Sequence, residues 1–363
     1  MPYAMRPRPL TVGLAFVAAV ALGVSTTSEA ATRIAVLPFQ NVSGHLRSPG
    51  IIIPLIEPAL RAHGYEVVVA SALEPFLAQH RIRATNKLSR DQVVTLGKEF
   101  GAAFAMVGSI DLFADTPGNP QWGLSARLLE SGTGKIAWAD AAGFTGDDFT
   151  GFLGLGTVTS PETLAERVVE MLFRSLPLAG AAGEEQKAAL AARSRKAARR
   201  VFRDPRLDTE PPKRVALLPF ENGTERRGAA LIMDDLMLAG LSRMGRFEMV
   251  DAGETQQVLQ GLGLAPYGAI DLESLRRIGD TAGVDAVLLG RVQDYNEGLR
   301  PGTSTSPSIA LDVRMLDTRT GRILWMGYNE GQGEESQIVL EFGKIKSMVP
   351  LAMKVIGELI GTM

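Results

Sequence analysis

The sequence predicts an α/β protein made by tandem duplication, each copy a three-layer-like domain with a mixed sheet covered by helices. Three recurring segments carry that prediction. Arg33-Ile-Ala-Val-Leu-Pro-Phe-Gln-Asn41 returns as Arg214-Val-Ala-Leu-Leu-Pro-Phe-Glu-Asn222, and Gly101-Ala-Ala-Phe-Ala-Met-Val-Gly108 returns as Gly283-Val-Asp-Ala-Val-Leu-Leu-Gly290. Leu129-Glu-Ser-Gly-Thr-Gly-Lys-Ile-Ala-Trp138 returns as Leu316-Asp-Thr-Arg-Thr-Gly-Arg-Ile-Leu-Trp325. The copies lie 181, 182 and 187 residues apart at the three motifs. A period this long marks a duplicated domain, because solenoid repeats run to roughly 20–50 residues.

Within each copy the elements follow in the order β-α-β-α-α-β-β-β-α. Ile34-Ala-Val-Leu is a short apolar run stopped by Pro38, the pattern of a buried strand. In the second copy Ala229, Ile232, Leu236 and Leu241 recur at helical spacing, which predicts an amphipathic helix over about 226–243, with Asp234 and Asp235 on its polar side. Arg246–Val250 reads as a strand. Asp271 is placed to cap a helix reaching Ala282, and Ser89-Arg-Asp-Gln92 has the form of a capping box. Ala286–Gly290 is a further buried strand. Ser308–Leu316 and Arg322–Tyr328 pair as a hairpin across a turn in which Gly321 supplies the positive φ. Ser160-Pro161 begins a closing helix with Leu164, Val168, Met171 and Leu172 on one face, and Met348, Ala352, Val355 and Leu359 do the same in the second copy.

Four segments result: 1–30, a signal peptide; 31–177, the first domain; 178–212, a basic Ala-rich linker helix; and 213–363, the second domain. Arg6 and Arg8 precede a 15-residue apolar run, Leu10–Val24, and Ser28-Glu-Ala30 offers small residues for cleavage near Ala30–Ala31. The run is shorter than the roughly 20 residues of a spanning helix. The sequence contains no Cys, so neither a disulfide nor a lipidated Cys is available to it. The linker gathers Lys187, Arg193, Arg195, Lys196, Arg199, Arg200 and Arg203 among helix-favouring Ala. That charge could grip an anionic partner or simply solvate a connector.

Catalytic signatures do not emerge. The net charge of −2 does not suggest a nucleic-acid binder. His45, His63 and His80 share no metal-ligand spacing, so neither a metal nor a cofactor is expected. Gly151-Phe-Leu-Gly-Leu-Gly156 lacks the Lys-Ser/Thr of a phosphate loop, and Asp147-Asp148 reads as a solvated pair. Trp138 and Trp325 are expected to close the two cores, each indole N–H reaching a carbonyl. Phe149, Phe152, Leu153 and Leu155 fit no core pattern and occur only in the first copy. With Arg195, Arg199 and Arg200 they are the candidate partner-binding residues.

The Leu-Pro-Phe-x-Asn strand end, the Gly-x-Asp-Ala-Val-Leu-Leu-Gly strand and the Asp-Thr-x-Thr-Gly-x-Ile-Leu-Trp hairpin resemble a bacterial envelope superfamily. It comprises CsgG-type curli-secretion proteins, activator lipoproteins of penicillin-binding proteins and the TolB amino-terminal domain. Residues 214–330 carry the likeness best and 33–145 more loosely. The resemblance implies the fold and a non-enzymatic periplasmic protein, peripheral to the outer membrane, that binds envelope components to assemble or regulate a surface or secretion machine. The loops Gln40–Ser48 and Glu221–Arg227 would present its surface. The alternative is an oligomeric secretion-pore subunit. The lipidated Cys of those relatives is missing, and Asp111–Trp122 and Val292–Pro307 are poor barrel hairpins. Envelope proteins, peptidoglycan-associated ones included, are the expected partners, with self-association left open.

Overall fold

The computed structural model describes residues 32–150, 156–179, 198–266, 268, 270–298, 306–336 and 343–363. The proposed leader therefore lies outside the described residues. The first half runs β1 (Arg33–Val36), β2 (Gln40–Asn41), α1 (Ser48–Ala62), β3 (Glu66–Val68), α2 (Ala70–Gln79), α3 (Arg90–Phe100), β4 (Phe104–Ala114), β5 (Gln121–Glu130), β6 (Ile136–Thr145) and α4 (Pro161–Phe173). The second half opens with β7 (Arg200–Arg203) and a short α5 (Arg206–Thr209), then repeats the pattern. Its elements are β8 (Arg214–Leu217), β9 (Glu221–Asn222), α6 (Ala229–Met244), β10 (Glu248–Val250), α7 (Ala252–Gly261), α8 (Leu272–Ala282), β11 (Ala286–Asn296), β12 (Ser308–Asp317), β13 (Ile323–Gln332) and α9 (Met348–Ile360).

Each half forms one mixed sheet. The first has strand order β3-β1-β4-β5-β6 and the second β10-β8-β11-β12-β13-β7, with β2 and β9 paired to β4 and β11. β1, β3 and β4 run parallel, while β4, β5 and β6 form an antiparallel meander; the second sheet repeats this.

The repeated motifs have repeated physical jobs. Asn41 accepts from Ser43 Oγ and Gly44 N and donates to His45 O; Asn222 likewise accepts from Thr224 and donates to Arg226 O. Each Asn thus closes the loop after its first strand with side-chain bonds that mimic a backbone turn. The motif Phe needs the motif Gly. A Cβ on Gly108 would lie 2.5 Å from the Phe39 ring, and one on Gly290 would lie 2.2 Å from Phe220. Arg33 donates to the carbonyl of Phe100 and Arg214 to that of Ala282, each satisfying a helix end. The capping box at Ser89 is complete in both directions, Asp271 accepts from Ser274 N, and Ser160 from Thr163 N.

Four differences from the expectations have clear causes. Arg200–Arg203 is not helical: it is a strand antiparallel to β13, because Val201 and Phe202 suit a pleated surface and the β13 edge needs backbone partners. The tryptophan N–H groups meet hydroxyls and not carbonyls: Trp138 donates to Ser175 Oγ and Trp325 to Thr362 Oγ1, both at 3.0 Å. The pair Asp147-Asp148 is engaged, since Asp147 accepts from Asn119 and Asp148 from the Thr145 backbone and hydroxyl. Lastly, α6 has no solvated polar side where Asp234 and Asp235 were expected to find one. Ala229, Ile232, Asp235, Leu238 and Leu241, spread round the helix, are all buried.

The packing explains that burial. The outer face of the first sheet is covered by α1 and α4, through Ile52, Ile56, Leu60, Leu164, Val168 and Leu172. Its inner face is covered by α2 and α3 near β1 and β4, and by α6 and α9 of the second half over β5 and β6. α6 and α9 also cover one face of the second sheet, in a core that takes in Val42 and Leu112 from the first half. Small residues allow the close approach: Cβ atoms on Gly123 and Gly143 would each lie 2.7 Å from Val349 of α9. Ala31–Met363 is accordingly one compact unit. Among the described residues no helix is long and apolar enough to cross a membrane.

Candidate functional site

The inner face of the first sheet holds a buried ionic centre. Arg127 of β5, 2% exposed, donates from Nη1 to Asp235 Oδ1 of α6 at 2.6 Å and from Nε to Asp251 Oδ1, the residue before α7, at 2.9 Å. Its Nη2 donates to Asn86 O at 2.6 Å. Asp235 Oδ2 accepts from Ser109 Oγ at 2.7 Å, and Asp251 also caps α7 through Gly253 N. The guanidinium is thus tied to both halves, and its planar fork matches the carboxylates as Lys could not. Burial alone would depress its pKa, but Asp251 and Asp235 outweigh that and hold the charge.

Two further carboxyls lie beside this centre. Asp234 accepts from Phe220 N at 2.8 Å and has Lys87 Nζ at 3.6 Å, yet burial pushes its pKa up to about 7 against that cation. Asp111 is the extra residue of the bulge in β4, fully buried. Burial, with Asp235 adding to it, drives its pKa well above the carboxylate range. Among the described residues the Asp111 oxygens and the Tyr295 hydroxyl, all buried, find no hydrogen-bond partner. The centre is closed, and its charges are spent on each other. Its chemistry is to join two halves.

The second sheet presents the equivalent face to solvent. Motif spacing and register make Arg314 the counterpart of Arg127, Asp312 of Ser125, Arg291 of Ser109, and Met326 of Ala139; the bulge residue Gln293 corresponds to Asp111. α7 and α8 cover this face only at its β8–β11 end, over Ala216, Leu218, Val287 and Leu316. Beyond them Arg291, Gln293, Asp312, Arg314 and Met326 are exposed, and β7 extends the surface with Arg200 and Phe202. A groove of about 580 Å³ lies along it, lined in part by Arg200, Phe202, Asp312, Met326 and Tyr328. Phe202 and Met326, cross-strand neighbours, are 46% and 45% exposed, so the groove has an apolar centre within a charged rim.

The candidate residues from the sequence divide accordingly. Arg200 lies over the Tyr328 ring at 5.9 Å, and Arg199 pairs with Glu330 and Glu335 at the edge of the same groove. Phe149 is elsewhere: half-buried at the end of β6, it packs on Phe144 with ring centres 5.5 Å apart. Phe152, Leu153, Leu155 and Arg195 lie outside the described residues. Arg127, Arg314, Met326 and Phe202 escaped the sequence reading, and Asp235 was placed on a polar helix side. Their signal was an Arg at the same place in both hairpins, within otherwise apolar strands. Among the described residues no group of three or more His, Cys, Asp or Glu is placed to hold a metal.

Known proteins resemble parts of this chain. Residues 206–361 match the model of the GNA1162-like lipoprotein family. The second half is similar to those lipoproteins. That match spans less than half of the 363 residues. Among solved structures, lipoprotein GNA1162 from Neisseria meningitidis is 20% identical over 40% of this chain and 97% of its own, with a TM-score of 0.30. The PelC dodecamer from Paraburkholderia phytofirmans is 15% identical over 40% and 87%, with a TM-score of 0.27. The LpoB C-terminal domain from Salmonella enterica is 18% identical over 33% and 82%, with a TM-score of 0.23. No curated protein matches the chain.

Proposed function

We propose that this is a non-enzymatic, exported envelope protein that binds other envelope components and helps assemble or regulate a surface or secretion machine. Its binding surface is the open face of the second sheet, around Phe202, Met326 and Arg314. One observation carries this reading: α6 and α9 fill the β5–β6 part of this face on the first sheet, and among the described residues no helix covers the equivalent β12–β13 part of the second. A face with an apolar centre and a charged rim has the anatomy of an interface. The similarity of residues 206–361 to a lipoprotein family supports the envelope setting. Attachment through a lipidated Cys is not open to this sequence. The basic 178–212 segment and the Phe149–Leu155 loop are secondary contact sites in this proposal. A secretion pore is less well supported, because Asp111–Ala114 and Gln121–Trp122, within one of its would-be hairpins, belong to β4 and β5.

The test is site-specific photocrosslinking in the cell that makes the protein. A photoreactive residue at Phe202 or Met326 is expected to give a discrete crosslinked species, and one at exposed Glu99 none. Equal labelling from all three positions would refute the site.

A further inference from the structure

We propose that the open face of the second sheet is occupied by the α1–α4 face of a second copy of this chain, so that copies stack head to tail. The inference rests on reading that face as the binding surface and names its partner.

The chain already contains one joint of this kind. In it, a sheet bearing an Arg on the middle strand of its antiparallel meander receives two helices from the next half. Asp235 and Arg243 of α6 meet Arg127 and Asp140 of the first sheet, and Val349 of α9 sits over Gly123 and Gly143. The counterparts of α6 and α9 in the first half are α1 and α4, at offsets of 181 and 187 residues. Those two helices cover the outer face of the first sheet with one side and turn the other to solvent. On α6, Asp235, Ala239 and Arg243 recur every four residues along the side turned to the first sheet; their counterparts on α1 are Pro54, Pro58 and Ala62, all exposed. Among the described residues the molecule therefore has at one side a helix pair with no sheet on its outer face, and at the other a sheet face with no helix pair on it.

Charge and apolar area agree with this pairing. Exposed Glu162, Glu166 and Glu170 form a row along α4, where α9 has Val349, Met353 and Gly357. On the second sheet, exposed Arg314 of β12 and Arg200 of the added edge strand β7 lie on the open face. An acidic row on one surface and these cations on the other steer one orientation of docking. Ile53 and Met171, 36% and 37% exposed on the helices, match Phe202 and Met326 on the sheet. Because the two surfaces differ, the contact is heterologous, and each added copy leaves one free face of each kind. Such contacts build rings where the rotation closes and filaments where it does not.

The experiment is sedimentation velocity on residues 31–363 over roughly 1–100 μM, the range in which modest interfaces dissociate. The unaltered chain is expected to form species larger than a dimer as concentration rises. A sheet-face variant, Phe202→Lys with Met326→Lys, and a helix-face variant, Glu166→Lys with Glu170→Lys, should each be monomeric with unfolding midpoints near that of the parent. An equimolar mixture of the two should give a dimer and nothing larger, since each supplies the face the other has lost. A parent that stays monomeric throughout, or either variant still assembling beyond a dimer, overturns the stacking. If the parent is monomeric while the Phe202 crosslink captures a different protein, the stacking fails and the binding face stands. If that crosslink also gives nothing, both fail.

Discussion

Arg127 and Arg314 are the same residue of one ancestral hairpin in two environments, and they should answer mutation differently. Replacing Arg127 with Ala leaves Asp235 and Asp251 buried without their cation, a loss of about 3–5 kcal/mol in denaturant unfolding. Arg314→Ala removes an exposed side chain and is expected to change stability by no more than about 0.5 kcal/mol. Asp234 adds a pH dependence with a definite sign. Its pKa is raised from 3.8 to about 7 on folding, so between those values the folded state holds more protons than the unfolded. Its contribution is full below pH 3.8 and is lost as pH rises to about 7, with a limiting slope of roughly 1.4 kcal/mol per pH unit. Asp234→Asn should remove that downward slope. An unchanged stability profile between pH 4 and 7 would show that Asp234 is not the proton site.

At the scale of elements, the contact of α9 with β6 depends on having no side chain at Gly143. A Cβ there would lie 2.7 Å from Val349 and 3.1 Å from the Trp122 carbonyl, so Gly143→Val must push helix from sheet. Overpacking of this kind costs about 1–3 kcal/mol or more and should raise hydrogen exchange in both β6 and α9. Exchange raised in β6 alone would mean the helix does not rest on that strand. The elements themselves were largely legible in the sequence because their signals are local: Ser89 with Gln92, Asp271 with Ser274, and Pro161 after Ser160 act within one turn of chain. The neighbours of an element were not. Asp234 and Asp235 look solvated on a helix considered alone, and only the arrival of a second sheet buries them. Likewise Arg200–Arg203 carries helix-compatible charge, and the free edge of β13 decides in favour of strand. The open face was invisible for a related reason. Phe202 and Met326 lie 124 residues apart in sequence and meet only through strand pairing.

At the scale of the molecule, one core shared by two halves predicts one unfolding event. Trp122 and Trp138 report on the first half and Trp325 on the second. Variants retaining a Trp in only one half should show fluorescence transitions that coincide with loss of helix by circular dichroism. Two separated transitions would mean that the ionic centre at Arg127 does not couple the halves. The placement of α9 also bears on time. A ribosome delivers this helix after both sheets, yet Val349 near its start fills the space above Gly123 and Gly143 in the half made first. Until that stretch of chain emerges, the early sheet must wait with Gly123 and Gly143 uncovered. The nascent protein therefore has a built-in interval of vulnerability to proteases and to mispairing, and a stop codon anywhere before α9 would harm the beginning of the protein as much as its end.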